Sequence, residues 1–159
     1  TLGDVAHAFF NSDQKVLCTA IKYFETKNPD RTTRRWMPTP FSSHLIEKGW
    51  HPPHPGFFCR REVFDSCGGF NCKYSIVADF DFMIRACASY PNCVSITNMT
   101  TVRMRAGGAS DRNIISTLKN NLDVCSSLRE QGFKIYRPLY ILRRLSAKGM
   151  QLLRKNATR

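Results

Sequence analysis

The chain has 159 residues, 42% of them hydrophobic, enough for one domain with a core of its own. It contains no run of about 18 apolar residues, which excludes a bilayer-spanning helix; Thr1-Leu2-Gly3-Asp4 has neither an initiator Met nor the basic-then-apolar layout of a signal peptide, so a start within a longer protein is expected. The net charge of +12 is uneven: Gly132 to Arg159 holds eight Lys or Arg and no Asp or Glu, whereas the other 16 basic residues face 12 acidic ones, a balance of +4.

In chain order, Val5 to Phe10 and Lys15 to Tyr23 read as short strands joined by the turn-like Asn11-Ser12-Asp13-Gln14, and the polar stretch from Asn28 to Arg35 reads as a loop. Phe41 to Gly49 fits a short helix with a serine cap and a glycine end. His51-Pro52-Pro53-His54-Pro55-Gly56 is a rigid, non-helical connector, followed by an apolar and buried strand at Phe57-Phe58-Cys59. Arg60 to Cys67 is a one- or two-turn helix ended by Gly68-Gly69, and Asp79 to Tyr90 is a helix stopped by Pro91. Val94 to Thr97 and Thr101 to Met104 read as strands, and Ala106 to Ser110 as a flexible loop. Asp111 to Gln131 is a helix with Ile114, Ile115, Leu118, Leu122, Cys125 and Leu128 on one face; Pro138 to Arg154 is a second, apolar and basic helix. Mixed strands and helices place the chain in the α/β class.

The seven cysteines form no C-x-x-C pair and favour reduced thiols in a cytoplasmic protein, with His51 and His54 near Cys59 as the residual metal candidates. Asn98-Met99-Thr100 and Asn156-Ala157-Thr158 match the glycosylation triplet without any other sign of secretion.

The chemistry centres on Ala78-Asp79-Phe80-Asp81-Phe82. Aspartates at a helix start are stabilised by free N–H groups and the helix dipole, which serves a structural acid and a general base alike. A metal pair is the weakest of the three readings, because it needs carboxylates opening from a loop into a polar site. The ordered set Pro55-Gly56-Phe57-Phe58-Cys59-Arg60-Arg61-Glu62-Val63-Phe64, Cys67-Gly68-Gly69-Phe70 and Ala78 to Ala86 resembles the acceptor half of family-2 glycosyltransferases, inverting enzymes of GT-A fold. Gly3-Asp4-Val5 resembles the segment after that family's nucleotide-binding core, and Val102-Arg103-Met104-Arg105-x-Gly107-Gly108-x-Ser110 resembles a downstream loop of its bacterial polysaccharide branch. The pattern covers most of Thr1 to about Leu128.

The resemblance implies a partial GT-A (Rossmann-like) domain at residues 1–131 and a basic amphipathic helical tail at 132–159. Asp79 corresponds to the catalytic base. His54 and Asp81 become candidates for substrate contact, Asp81 with helix support as its other role, and Arg103 and Arg105 for the leaving diphosphate. The divalent metal, Mn or Mg, has its ligands upstream of this chain, so Asp79-x-Asp81 is not the metal site. The partners implied are a nucleotide-sugar donor and a sugar or lipid-linked acceptor in polysaccharide or glycolipid synthesis, in the cytoplasm or at the inner face of the cell membrane.

Arg60 and Arg61 read as surface residues, the Phe side chains of these motifs as core, and Trp36 and Trp50 as possible sugar contacts in loops. Leu139, Tyr140, Ile141, Leu142, Leu145, Met150, Leu152 and Leu153 among basic residues give the tail two readings, an anionic membrane interface or a helix packed on the domain. The rivals to a transferase are a basic nucleic-acid-binding module and an inactive truncated transferase. Against nucleic acid stand the lack of a helix-turn-helix, zinc-finger or RRM signature and the lack of aromatics interleaved with the basic tail.

Overall fold

The computed structural model describes residues 2–10, 12–106 and 114–156, with 114–116 and 147–156 as backbone. The glycine loop at Gly107 to Ser110, the helix start at Asp111 and the end of the Asn156-Ala157-Thr158 triplet lie outside them, as do the side chains of Ile114, Ile115, Met150, Leu152 and Leu153.

The organising strand is β1, Val16–Glu25, whose first six residues are all buried. Such a run, apolar but for Thr19, suits a strand covered on both faces. On one side β1 pairs in parallel with β4, Val94–Arg105. On the other it is shared by two antiparallel partners: β3, Phe57–Cys59, lies along Val16 to Cys18, and β2, Asn28–Trp36, lies along Ile21 to Glu25. The result is a mixed four-stranded sheet in an α/β protein.

Six helices complete the described chain: α1 Leu2–Phe10, α2 Ser43–Ile46, α3 Arg61–Ser66, α4 Ala78–Ser89, α5 Ile114–Glu130 and α6 Arg137–Asn156. The core gathers Val16 and Cys18 of β1, Phe80 to Ile84 of α4 except Asp81, Val124, Cys125 and Leu128 of α5, and Tyr140 of α6. Tyr140 is 2% exposed, so one face of the basic helix belongs to the packed core.

Several elements differ from expectation. Val5 to Phe10 is helical, within α1, because the stretch turns one stripe inward: Val5 is buried and Phe9, one turn on, is half-buried. Its end is held by Arg60, which donates from Nη2 to Phe9 O at 2.6 Å and to Ser12 O at 2.8 Å, and from Nε to Gln14 O at 2.9 Å. A cation on the last carbonyls of a helix satisfies both their hydrogen bonding and the dipole; Arg60 is thus a staple rather than a free surface residue. Asn28 to Arg35 is strand, not loop. It is exposed over its first five residues and pairs with β1 only, an edge position where Pro29 loses no ladder bond that a central strand would need. The two strands predicted at Val94 to Thr97 and Thr101 to Met104 are one strand with a break: between Ile96 and Thr100 β4 advances four residues while β1 advances two. Leu118 and Leu122 of α5 face outward, and Asn121 and Val124 take inner positions with Cys125 and Leu128.

Candidate active site

His54 and Asp79 come from separate segments and meet. His54 sits in a 3-10 turn, His54–Gly56, entered through Pro52 and Pro53, both buried. The turn fills the place beside β1 where neither β2 nor β3 pairs. There Thr19 Oγ1 donates to Gly56 O at 3.1 Å, and its 2.6 Å contact with Thr101 Oγ1 is then donated by Thr101, since a hydroxyl has one proton. A Cβ on Gly56 would lie 2.5 Å from Thr19 O, so only glycine lets the turn approach the strand this closely. Asp79 is the second residue of α4.

The His54 Nδ1–Asp79 Oδ2 distance is 2.8 Å, and Asp79 Oδ1 accepts the Phe80 N–H at 2.7 Å. The pair is open: the side chains keep 54% and 32% of their exposure, so both reach solvent. Burial pushes the Asp79 carboxyl up, but the His54 hydrogen bond and the Phe80 N–H outweigh it and hold it below its ordinary value. The hydrogen bond to Asp79 raises His54, against partial burial.

Behind the pair lies a second histidine. His51 stands edge-on between Trp36 and Phe80, with ring centroids 5.3 and 5.9 Å away. Its Nδ1–H donates to Gly49 O at 3.1 Å. Burial, then the Arg144 cation, push His51 down to about 4, so the ring is neutral at pH 7 with Nε2 as an acceptor. Arg144 of α6 lies over the Phe80 ring at 5.3 Å and donates from Nε to Asn121 Oδ1 at 3.0 Å. Sequence reading assigned Arg144 to the basic tail; only tertiary packing brings it beside His51. For His51 the sequence offered its place in the proline-rich connector and its nearness to His54 and Cys59, neither of which points to Arg144.

Asp81 does not join this site. It is 2% exposed, which corrects the expectation of substrate contact. Its Oδ2 takes Arg85 Nε at 2.9 Å and Nη2 at 2.8 Å; its Oδ1 takes Ser127 Oγ at 2.7 Å and Gln131 Nε2 at 3.1 Å. Arg85 also donates to Cys67 O and Gly69 O, tying the glycine turn to α4. In Asp79-x-Asp81 the first acid is open and the second is a structural anchor, so the two do not form a chelating pair. Among the described residues no group of three or more His, Cys, Asp and Glu side chains is placed to hold a metal, and the cysteines carry free thiols.

Arg103 and Arg105 are exposed on β4 opposite Lys22 and Phe24. Arg103 donates to Pro29 O and lies 5.6 Å over the Phe24 ring, so it is engaged with the β1–β2 hairpin and makes no hydrogen bond or ion pair with His54 or Asp79. Trp50 is a core residue, packed on Phe41 with ring centroids 4.9 Å apart and donating to Thr39 O, which corrects its reading as a sugar contact. Trp36 is half-buried on β2 rather than in a loop. Of the motif phenylalanines, Phe80 and Phe82 are buried, Phe57 and Phe64 pack on them, and Phe70 keeps 52% of its exposure while stacking on Phe64 and Phe82.

The chain was compared with models of known protein families, with curated proteins and with solved structures. None matches. The functional reading therefore rests on the motifs and on the geometry of the His54–Asp79 pair.

Proposed function

We propose that the chain forms the acceptor side of an inverting, family-2-like glycosyltransferase of GT-A type, with Asp79 as the general base. The observation that carries this reading is a partly exposed carboxylate at a helix start, hydrogen-bonded by His54 at 2.8 Å. In the proposed step Asp79 takes the proton of an acceptor sugar hydroxyl. The hydroxyl oxygen bonds to the anomeric carbon of a nucleotide-sugar from the face opposite the diphosphate. The bond from that carbon to the diphosphate oxygen breaks, its electron pair leaves with the nucleoside diphosphate, and configuration inverts. His54 holds Asp79 ionised and in place, and the Phe80 N–H fixes the other oxygen.

The Mn or Mg that the resemblance implies would neutralise charge on the leaving diphosphate. The described residues do not fit such an ion, because Asp79 and Asp81 serve different places. The donor and lipid-linked or sugar acceptor remain part of the proposal, as does placement of the donor half upstream; among the described residues β3 and β4 each pair with one strand only.

Removing a positioned base lowers turnover by about 10²–10⁴. Asp79→Asn in the transferase that carries this segment is expected to do so with folding intact, and unchanged turnover rejects the assignment. A second reading has His54 take the proton while Asp79 orients it, favoured by the geometry: Asp79 engages His54 Nδ1 at 2.8 Å and the ring keeps 54% of its exposure. The pH–rate profile separates them. With Asp79 as base the acid limb falls below the ordinary carboxyl range; with His54 it lies above about 6.5.

A further inference from the structure

α6 is apolar on two sides. Tyr140 and Arg144, one turn apart, face the core and the Phe80 ring. On the outward side Leu139, Leu142 and Leu145 keep 42%, 63% and 44% of their exposure. Leu139, Leu142 and Leu145 recur at three-residue spacing, so they form a stripe along one face of α6 rather than scattered exceptions.

Charge decides the occupant. Arg137 and Arg143 are exposed on the same helix, and Gly132 to Arg159 holds eight basic residues against no acidic one. A second copy of the chain would bring that same charge to the contact and repel it. A duplex or single strand would meet the cations but has no use for outward leucines, and among the described residues the single exposed aromatic beside α6, Tyr136, makes no run of stacking platforms. An anionic bilayer satisfies both, taking leucines into the acyl boundary and Lys or Arg at the phosphates.

We propose that the outward face of α6 is a peripheral docking surface for an anionic lipid bilayer. It does not depend on the transferase reading, because it uses none of that site's residues. No helix among the described residues is long and apolar enough to cross the membrane, so the contact is interfacial.

The test is co-sedimentation of the 159-residue chain with vesicles of phosphatidylcholine, with and without phosphatidylglycerol. Binding is expected only with the anionic lipid, weakening as salt rises. Leu139→Ser with Leu142→Ser is expected to lower the partition coefficient by about tenfold or more, and Arg143→Gln by about fivefold. These positions are exposed, so circular dichroism and the melting temperature should match the parent. Absence of binding to phosphatidylglycerol vesicles at low salt overturns the proposal. So does binding indifferent to the two leucines, which marks a purely electrostatic surface such as one for nucleic acid. A lipid-free dimer dissolved by the same leucine changes also overturns it, assigning the face to a second copy.

Discussion

Asp79 and Asp81 share a helix start and differ in everything around them. Asp79 faces His54 and solvent, so its ion pair is worth only about 0–1 kcal/mol to stability. Asp81 is enclosed by Arg85, Ser127 and Gln131. Its loss removes the countercharge of Arg85, which keeps Cys67 O and Gly69 O, and leaves Ser127 and Gln131 without their acceptor; Asp81→Ala is expected to cost about 2–4 kcal/mol in denaturant unfolding, whereas Arg103→Ala, on an exposed strand end, should stay within about 0.5 kcal/mol. Equal effects of the two changes would contradict the anchor role.

The pH behaviour follows residue by residue. His54 is raised in the folded state, so its contribution is full below about 6.5 and is lost as pH rises through the raised value. Asp79 is lowered, so its contribution is present above the ordinary carboxyl value and is lost as pH falls through the folded one. The pair is therefore strongest between about 4 and 6.5. His51 acts in the opposite sense to His54: folding keeps it neutral down to about 4, so it destabilises the protein as pH falls below the ordinary imidazole value. NMR titration is expected to find His54 above its ordinary value and, in Asp79→Asn, at or below it, since partial burial then acts alone; a raised His54 that survives the substitution would dissolve the pair.

At the scale of elements, the site depends on one close approach. Gly56→Ala would push the 3-10 turn off Thr19, because the new Cβ meets a backbone oxygen at 2.5 Å. The expected cost is about 1–3 kcal/mol, together with loss of the raised His54 value, since the turn carries His54 away from Asp79. A stable Gly56→Ala protein with His54 still raised would show that the turn does not set the pair. The helix around Asp79 was legible because Pro91 punctuates it and the spacing is helical; the connector around His54 was read as non-helical, whereas its last three residues, His54–Gly56, close a 3-10 turn. α1 was misread because six residues of mixed apolar and small type fit either period, and the deciding contact, Arg60 on the carbonyls of Phe9 and Ser12, lies about fifty residues away. β2 was missed because an exposed edge strand shows no alternation; its pairing with β1 is tertiary information.

Across the whole molecule, the sheet is built on β1, which organises both ends of the account. Its first half holds β3, its second half β2, and the gap between them receives the turn that carries His54. The α/β class was readable from the order of elements. The division at Gly132 concealed that Tyr140 and Arg144 reach back to the core, since composition reports charge along the chain and not which side of a helix is turned inward. Asp79 and Asp81 looked alike in sequence for the same reason: local spacing placed both on one helix, while only the packing of α5 onto α4 consumed the second.

The most direct test of Asp79 as a general base is the turnover of Asp79→Asn against the parent in the full-length protein, supplied with nucleotide-sugar donors. Sugar transfer with inversion by the parent, reduced about 10²–10⁴ in the variant at unchanged folding, is the predicted result. Turnover that survives the substitution would contradict the assignment of Asp79 as the base.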